Sequence, residues 1–295
     1  MGEGERSIQN LSLPEQAIQF FTKSWGIQQL HPPQFEAMVP LFKENNILLA
    51  IPTASGKSLV AYIAILNQLL NVNPGSRAVY IVPLKALASE KFEELKEIGQ
   101  HLGLNIGLGI GDATSEAKNI DESDILICTS EKLDSLMRSR SELMSNVSIV
   151  VADEFHLLHD ASRGPTLEIN LTRLRTLRPN AQLIALSATV GNCDILAKWL
   201  DAVLIKSDWR PVDLEYSTLH DRHLEPRKIQ SSSLDSTDQV LSPPRHLDGP
   251  LSHPSWIVVQ DTIEQGGQVL VFVGTRRSAQ SEAKKLSERV KKRFA

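Results

Sequence analysis

Short apolar runs alternate with amphipathic stretches along the chain up to about residue 206. Each run is almost continuously apolar, which is typical of central strands covered on both faces. The runs lie at residues 46–51, 77–82, 124–128, 148–152 and 182–186, with a shorter one at 203–205. Helical stretches lie between them at residues 58–70, 84–101, 131–143 and 165–177. This alternation predicts an α/β fold in which one parallel sheet has helices on both faces.

The pattern also predicts how the domains are divided. The first domain covers residues 1–206, and residues 207–255 are rich in Ser, Pro, His and charge without clear periodicity. That composition favours a linker or surface insertion, partly mobile. A helical stretch at 256–264, a strand at 268–273 and a helix at 276–292 predict the start of a second α/β domain over residues 256–295. One strand and one helix cannot bury a core, so we expect the chain to be a piece of a longer protein.

Composition excludes several classes of protein. A net charge of -4 and a pI near 6.1 disfavour a strongly basic nucleic-acid-coating protein, although a local basic track remains compatible with them. Two cysteines are too few for a disulfide framework, and Cys128 lies in an apolar run that predicts a buried thiol. The chain shows no secretory signal and no apolar run near the ~20 residues that span a bilayer. We therefore expect a soluble cytoplasmic protein without a membrane partner.

A phosphate-binding loop is predicted at residues 52–58, PTASGKS, because this segment follows an apolar strand and opens a helix. Backbone N–H groups in such a loop cradle phosphate oxygens. The residues expected to bind the nucleotide are Thr53, Ala54, Ser55, Gly56, Lys57 and Ser58. Lys57 would reach the β- and γ-phosphates, and the Ser58 hydroxyl would ligate Mg²⁺. The first glycine of the general pattern would fall at Ile51, so an ordinary glycine turn before a helix is the alternative.

An acidic pair, Asp153 and Glu154, follows the run at 148–152. Two carboxylates after a buried strand are costly unless a cation or hydrogen bonds hold them. Asp153 is placed to bind Mg²⁺, and Glu154 to orient or deprotonate the attacking water. His156 would couple the nucleotide state to a neighbouring domain. A solvated turn at the strand end is the alternative.

Together these motifs resemble those of superfamily 2 helicases, whose first domain is a RecA-like sheet. The segment 30–37 resembles their adenine-reading motif, which implies that the Gln34 amide contacts the adenine edge. Ser187 and Thr189 resemble the Ser-Ala-Thr motif that couples hydrolysis to strand movement. Their hydroxyls would then hydrogen-bond toward the Asp153 and Glu154 pair.

Three further segments, 82–91, 129–132 and 274–277, resemble the family's strand-contacting motifs. The resemblance implies that a single strand is contacted by Lys85, Ser130, Lys132, Thr275 and Arg276. Taken alone, each of these is equally typical of a solvated surface residue. Thr129 and Ser130 would also fit the cap of the helix that begins near Glu131.

The box Asp-Glu-Phe-His and the segments 163–168 and 207–211 resemble the Ski-type branch, and within it the archaeal DNA repair helicases that act at stalled replication forks. The resemblance implies a monomeric ATP-dependent DNA helicase motor that uses ATP and Mg²⁺ on single-stranded and forked DNA. A Ski-type RNA helicase is one alternative. The other is a nucleotide- and strand-binding module with little turnover, because the family's later motifs, including its arginine finger, would lie beyond residue 295.

Overall fold

The computed structural model describes residues 3–111, 117–118, 120–188, 191–230 and 241–294. The chain forms two compact units, Met1–Pro211 and Val212–Ala295. Across the described ranges, no helix combines the length and the apolar character needed to traverse a bilayer.

An eight-stranded sheet forms the centre of the first unit. Its strands are β1 (Asn46–Ala50), β2 (Arg77–Val82), β3 (Ile106–Gly109), β4 (Ala117–Lys118), β5 (Ile125–Thr129), β6 (Val147–Ala152), β7 (Gln182–Ser187) and β8 (Ala202–Lys206). They lie in the order β4-β3-β5-β2-β6-β7-β1-β8. All neighbours pair in parallel except β3 and β4, which are antiparallel at one edge. All six strands predicted in this part of the chain are present.

Helices cover both faces of this sheet. They are α1 (Glu15–Gln19), α2 (Pro32–Phe42), α3 (Lys57–Asn67), α4 (Lys85–Leu102), α5 (Ser130–Ser139), α6 (Gly164–Leu177) and α7 (Cys193–Leu200). Apolar residues of α2, α3 and α4 join one buried cluster, and those of α5, α6 and α7 join another. This arrangement confirms the predicted α/β fold with a RecA-like parallel sheet.

Successive residues of one strand enter opposite cores. In β1, Ile47 and Leu49 belong to the cluster under α2, α3 and α4, whereas Leu48 and Ala50 belong to the other. Burial on both faces explains why the strands read as continuous apolar runs and do not alternate. Cys128 in β5 is fully buried, as predicted, and burial raises the pKa of its thiol to about 12.

The second unit contains a hairpin where the sequence indicated no regular structure. Its elements are β9 (Leu214–His220), β10 (His223–Gln230), β11 (Arg245–His246), α8 (Pro254–Glu264) and α9 (Arg276–Phe294). The three strands pair antiparallel in the order β11-β10-β9. The turn residues Asp221 and Arg222 both have positive φ, a geometry usually signalled by Asn-Gly or Asp-Gly. The sequence did not predict this hairpin, because its turn contains no glycine and its strands carry charged residues.

The strand expected at 268–273 is not formed. No strand among the described residues pairs with this segment, and a strand requires a lateral hydrogen-bonding partner. Leu270 and Phe272 are therefore 77% and 85% exposed. The two predicted helices around it are present. Arg293 of α9 pairs with Glu264 of α8 at 3.1 Å.

Gly164 is required where α6 begins. A Cβ placed there would lie 1.9 Å from the backbone carbonyl oxygen of Leu158, in the turn that follows the acidic pair. Real Cβ atoms do not approach backbone this closely, so the turn and α6 can meet only at a glycine.

We expect Gly164→Ala to lower the free energy of unfolding by about 1–3 kcal/mol, the usual cost of forcing extra volume into a packed site. Gly191→Ala is the matched control, because a Cβ there has open space and the backbone is not left-handed. Urea denaturation followed by circular dichroism measures both. Equal stabilities of the two variants would show that the turn relaxes away from α6.

Candidate nucleotide-binding site

The predicted phosphate-binding loop occupies the turn between β1 and α3. Ala54 and Gly56 adopt left-handed backbone conformations, with φ of 64° and 72°. For Ala54 this costs on the order of 1 kcal/mol, and such strain clusters where a ligand is held. Thr53 and Ala54 are exposed, whereas Ser55 is buried. The strand before and the helix after the loop match the expected context.

Lys57 opens α3 and points back into this loop. Its Nζ donates hydrogen bonds to the carbonyl oxygens of Ile51, at 3.2 Å, and Pro52, at 3.1 Å. Burial lowers the pKa of the ammonium, Glu154 and Asp153 partly offset that effect, and Arg210 adds to it. The structure thus brings the lysine and both carboxylates into one electrostatic environment. Their chemical roles remain predictions.

Hydrogen bonds hold the acidic pair at the end of β6. Asp153 Oδ1 accepts from the Glu154 N–H at 2.8 Å, and Oδ2 accepts from the Tyr80 hydroxyl at 2.9 Å. The Asp153 N–H continues the sheet by donating to the Ile81 carbonyl at 2.9 Å. Glu154 is left-handed, with φ of 50°, and partly exposed. This turn is stabilised by specific partners as well as by solvent.

His156 lies between Glu154 and the end of β7. Its Nδ1 is 3.3 Å from Glu154 Oε2 and 3.4 Å from the N–H of Ala188. One nitrogen cannot donate to the carboxylate and accept from the amide at once. A protonated Nδ1 pairs with Glu154, and an unprotonated Nδ1 accepts from Ala188, so the imidazole has two alternative partners.

The Ser187 hydroxyl differs from expectation. It is fully buried and donates to the Ala188 carbonyl at 2.8 Å, instead of toward Asp153 or Glu154. His156 instead connects the residues after β7 with the acidic pair, because its Nδ1 lies near both Ala188 and Glu154. Thr189 lies outside the described residues.

Gln34 also differs from expectation. Its Nε2 donates to the carbonyls of Ser55, at 3.2 Å, and Gly56, at 2.9 Å, while Oε1 accepts from the His31 N–H at 2.8 Å. Gln34 is 2% exposed. The Gln34 side-chain amide therefore donates both of its hydrogen bonds to the phosphate-binding loop and connects α2 to that loop. In this structure it has no donor available for an adenine edge.

Oxygen donors suited to Mg²⁺ lie close to one another. Burial and Asp153 raise the pKa of the Tyr80 phenol and the Ser58 side chain lowers it, so both side chains lie near this hydroxyl, which bonds Asp153. Mg²⁺ is usually held by one or two carboxylates together with substrate phosphates and water. The described ranges contain no group of three or more His, Cys, Asp or Glu side chains that could hold a metal ion. Ser58 and Asp153 fit a nucleotide-bound Mg²⁺.

Sequence reasoning missed three residues beside the loop. The Trp209 carbonyl accepts from the Ser55 hydroxyl at 3.4 Å, and the Arg210 guanidinium is 3.5 Å from the Thr53 carbonyl. Both belong to the segment 207–211, whose resemblance to the Ski-type branch was noted without a role for either residue. Tyr80 could not be identified as a site residue from the sequence, because a tyrosine within an apolar run is typical of a buried core residue.

The predicted strand-contacting residues differ in exposure. Lys85, the first residue of α4, is exposed, and Lys132 is partly buried. Ser130 is only 5% exposed, and its carbonyl accepts from Asn170 at 2.7 Å, so its side chain is less available than expected. Thr129 caps α5, as the alternative predicted, by accepting from the Lys132 N–H.

Thr275 and Arg276 lie in the second unit, where both are exposed. Thr275 Oγ1 accepts from the Ser278 N–H at 3.1 Å and so caps α9. Contact with a nucleic acid strand remains a prediction for both residues.

Comparison with known proteins gives three findings. A family model described as DEAD/DEAH box helicase matches residues 31–196, more than half of the chain. Proteins named ATP-dependent DNA helicase Hel308 from Methanocella arvoryzae and Thermococcus kodakarensis are 41% and 43% identical over 97% and 94% of the chain. The chain spans only 37% and 23% of those relatives. A solved structure, the DUF1998 helicase MrfA bound to DNA, aligns over 67% of this chain and 30% of its own with a TM-score of 0.57 and 24% identity, a likeness of fold alone.

We expect Gln34→Ala to lower the free energy of unfolding by about 1–3 kcal/mol, because the buried Ser55 carbonyl loses its donor and the His31 N–H loses its acceptor. Gln28→Ala is the control, since Gln28 is exposed and donates a single bond, to Thr22. Chemical denaturation measures both, and hydrogen exchange at the His31 N–H, which donates to Gln34 Oε1, should rise only in the first. Equal behaviour of the variants would show that the loop holds its shape without Gln34.

Proposed function

Because this chain belongs to the DEAD/DEAH box helicase family, we propose that it forms the nucleotide-binding motor portion of an ATP-dependent DNA helicase. One observation carries the proposal. The phosphate-binding loop, the buried Lys57 and the pair Asp153 and Glu154 meet at the carboxyl edge of one parallel sheet. Ligands of such folds bind at this edge.

Each side chain has a distinct task in ATP hydrolysis. Lys57 would exchange its two carbonyl partners for phosphate oxygens, and the backbone N–H groups of the loop would hold the remaining phosphate charge. Ser58 and Asp153 would hold Mg²⁺, which when bound supplies neutralisation of the developing negative charge. Glu154 would orient the attacking water and accept its proton.

His156 is suited to couple hydrolysis to movement. Its two alternative partners, Glu154 and the Ala188 amide, connect the acidic pair with the segment after β7. A change of charge at Glu154 would favour one partner over the other, and a two-state contact of this kind can bias a larger rearrangement. Ser187 and Thr189 belong to that segment.

DNA is the substrate that the comparisons favour. The Hel308 relatives are named DNA helicases, and none of the contacts described here selects RNA. We propose that Lys85, Ser130, Lys132, Thr275 and Arg276 contact the phosphates of a single strand, that forked DNA is bound, and that the protein acts as a monomer. We also propose that the protein is cytoplasmic.

We expect Lys57→Ala to weaken binding of a fluorescent ATP analogue with Mg²⁺ by at least tenfold, about 1.4 kcal/mol. Glu154→Gln should keep that affinity and lower the hydrolysis rate by about 10²–10⁴, the usual contribution of a general base. Lys43→Ala, an exposed lysine outside the site, is the control. Unchanged binding by Lys57→Ala would refute the nucleotide site, and tight binding without turnover in the wild type would favour a binding module.

A second measurement separates DNA from RNA. We expect a single-stranded DNA oligonucleotide to bind more tightly than an RNA oligonucleotide of the same sequence. We also expect Lys85→Ala to reduce the slope of log affinity against log salt concentration by about 0.7, the value for one phosphate contact on a single strand. Lys96→Ala, on an exposed position of the same helix, should leave the slope unchanged. Equal binding of both nucleic acids, or tighter binding of RNA, would favour the Ski-type alternative.

A further inference from the structure

The hydroxyl of Tyr80 is not needed for the packing of the core. Tyr80 occupies the middle of β2, is fully buried, and its ring belongs to the cluster under α2, α3 and α4. Its ring centroid is 6.2 Å from that of Tyr62 in α3. A phenylalanine would fill the same space. Burying a hydroxyl is costly unless it finds a partner, so the partner indicates what the oxygen contributes.

That partner is a carboxylate of the nucleotide site. The hydroxyl donates to Asp153 Oδ2 at 2.9 Å, while Oδ1 accepts from the Glu154 N–H at 2.8 Å. The terminal torsion of aspartate is broad and roughly two-fold, so a single anchor leaves the carboxylate plane poorly defined. Two donors, one on each oxygen, fix that plane.

The sheet register explains why these two groups meet. β2 and β6 are parallel neighbours in which Tyr80 pairs with Val151 and Ile81 with Ala152. Asp153 directly follows Ala152, the last residue of β6, and its Oδ2 accepts the hydrogen bond of the Tyr80 hydroxyl. Burial raises the pKa of the Tyr80 phenol and the Ser58 side chain partly offsets that rise, so the phenol lies near both side chains that would hold Mg²⁺ and bonds one of them, Asp153.

We propose that Tyr80 is a positioning residue that orients the Asp153 carboxylate for the magnesium ion of the bound nucleotide. This inference rests on the proposed function. Mg²⁺ demands nearly ideal octahedral geometry, so a carboxylate free to rotate binds it less well. Hydrogen-bond partners of metal ligands typically contribute 10–100-fold to metal affinity.

The test compares the affinity for a fluorescent, non-hydrolysable ATP analogue with excess Mg²⁺ and with EDTA. The ratio of the two dissociation constants measures the magnesium contribution. In Tyr80→Phe we expect that ratio to fall by about tenfold, in line with the usual effect of a metal ligand's hydrogen-bond partner. The affinity in EDTA should stay at the wild-type value, which a general loss of folding would not allow.

Tyr62→Phe is the matched control. Tyr62 is a similarly buried tyrosine in the same core, and its hydroxyl donates to Glu94 in α4 and has no bond to Asp153. Burial raises the pKa of its phenol, and the Ser58 side chain lies near enough to offset that rise in part. We expect this variant to keep the wild-type ratio. In an Asp153→Asn background, Tyr80→Phe should have no additional effect, because the carboxylate that it orients is gone.

The outcomes separate this inference from the proposed function. A wild type that binds no nucleotide would refute the proposed function. A wild type with a clear magnesium contribution that Tyr80→Phe leaves unchanged would overturn only the role of Tyr80. Equal losses in Tyr80→Phe and Tyr62→Phe would overturn it too, by assigning the effect to any buried hydroxyl near Ser58.

Discussion

Parallel pairing of β7 with both β1 and β6 is the constraint on which the site depends. All three strands end at the same edge, so the loop after β1 and the acidic turn after β6 lie about 10 Å apart, two strand spacings. The segment after β7 lies between them. In the proposed function, one phosphate chain would contact Lys57 and face Glu154, with Ser187 and Ala188 between the two.

The charge of Lys57 is compensated by its neighbours at this edge. Lys57 is buried, and burial lowers the pKa of its ammonium, yet two backbone carbonyls and two neighbouring carboxylates compensate the charge. The loop carbonyls of Ser55 and Gly56 are occupied by Gln34. Lys57 already has two partners, so in the proposed function a bound phosphate would replace them and leave no bare charge in the interior.

Long periodic elements were predictable, and short or polar ones were not. The strands at β1, β2 and β6 and the helices α3, α4 and α6 were predicted with small errors at their ends, because each buries a continuous apolar face. β3 contains two glycines in four residues and β4 is two residues long, so neither produced a pattern. The β9 and β10 hairpin is largely exposed, and the segment at 268–273 carries a strand pattern but has no partner among the described residues. Strand formation depends on a neighbour that a local pattern does not contain.

The sequence by itself determined the α/β class, the loop at residues 52–58, the acidic pair and the likeness to superfamily 2 helicases, since each depends on residues close together in the chain. Only the tertiary structure decided which groups are partners. It placed Gln34 on the loop, turned the Ser187 hydroxyl to its own backbone, and brought Tyr80 to Asp153. The reason is physical: a hydrogen-bond partner is chosen by strand order, register and close packing, and these bring together residues that lie far apart in the sequence.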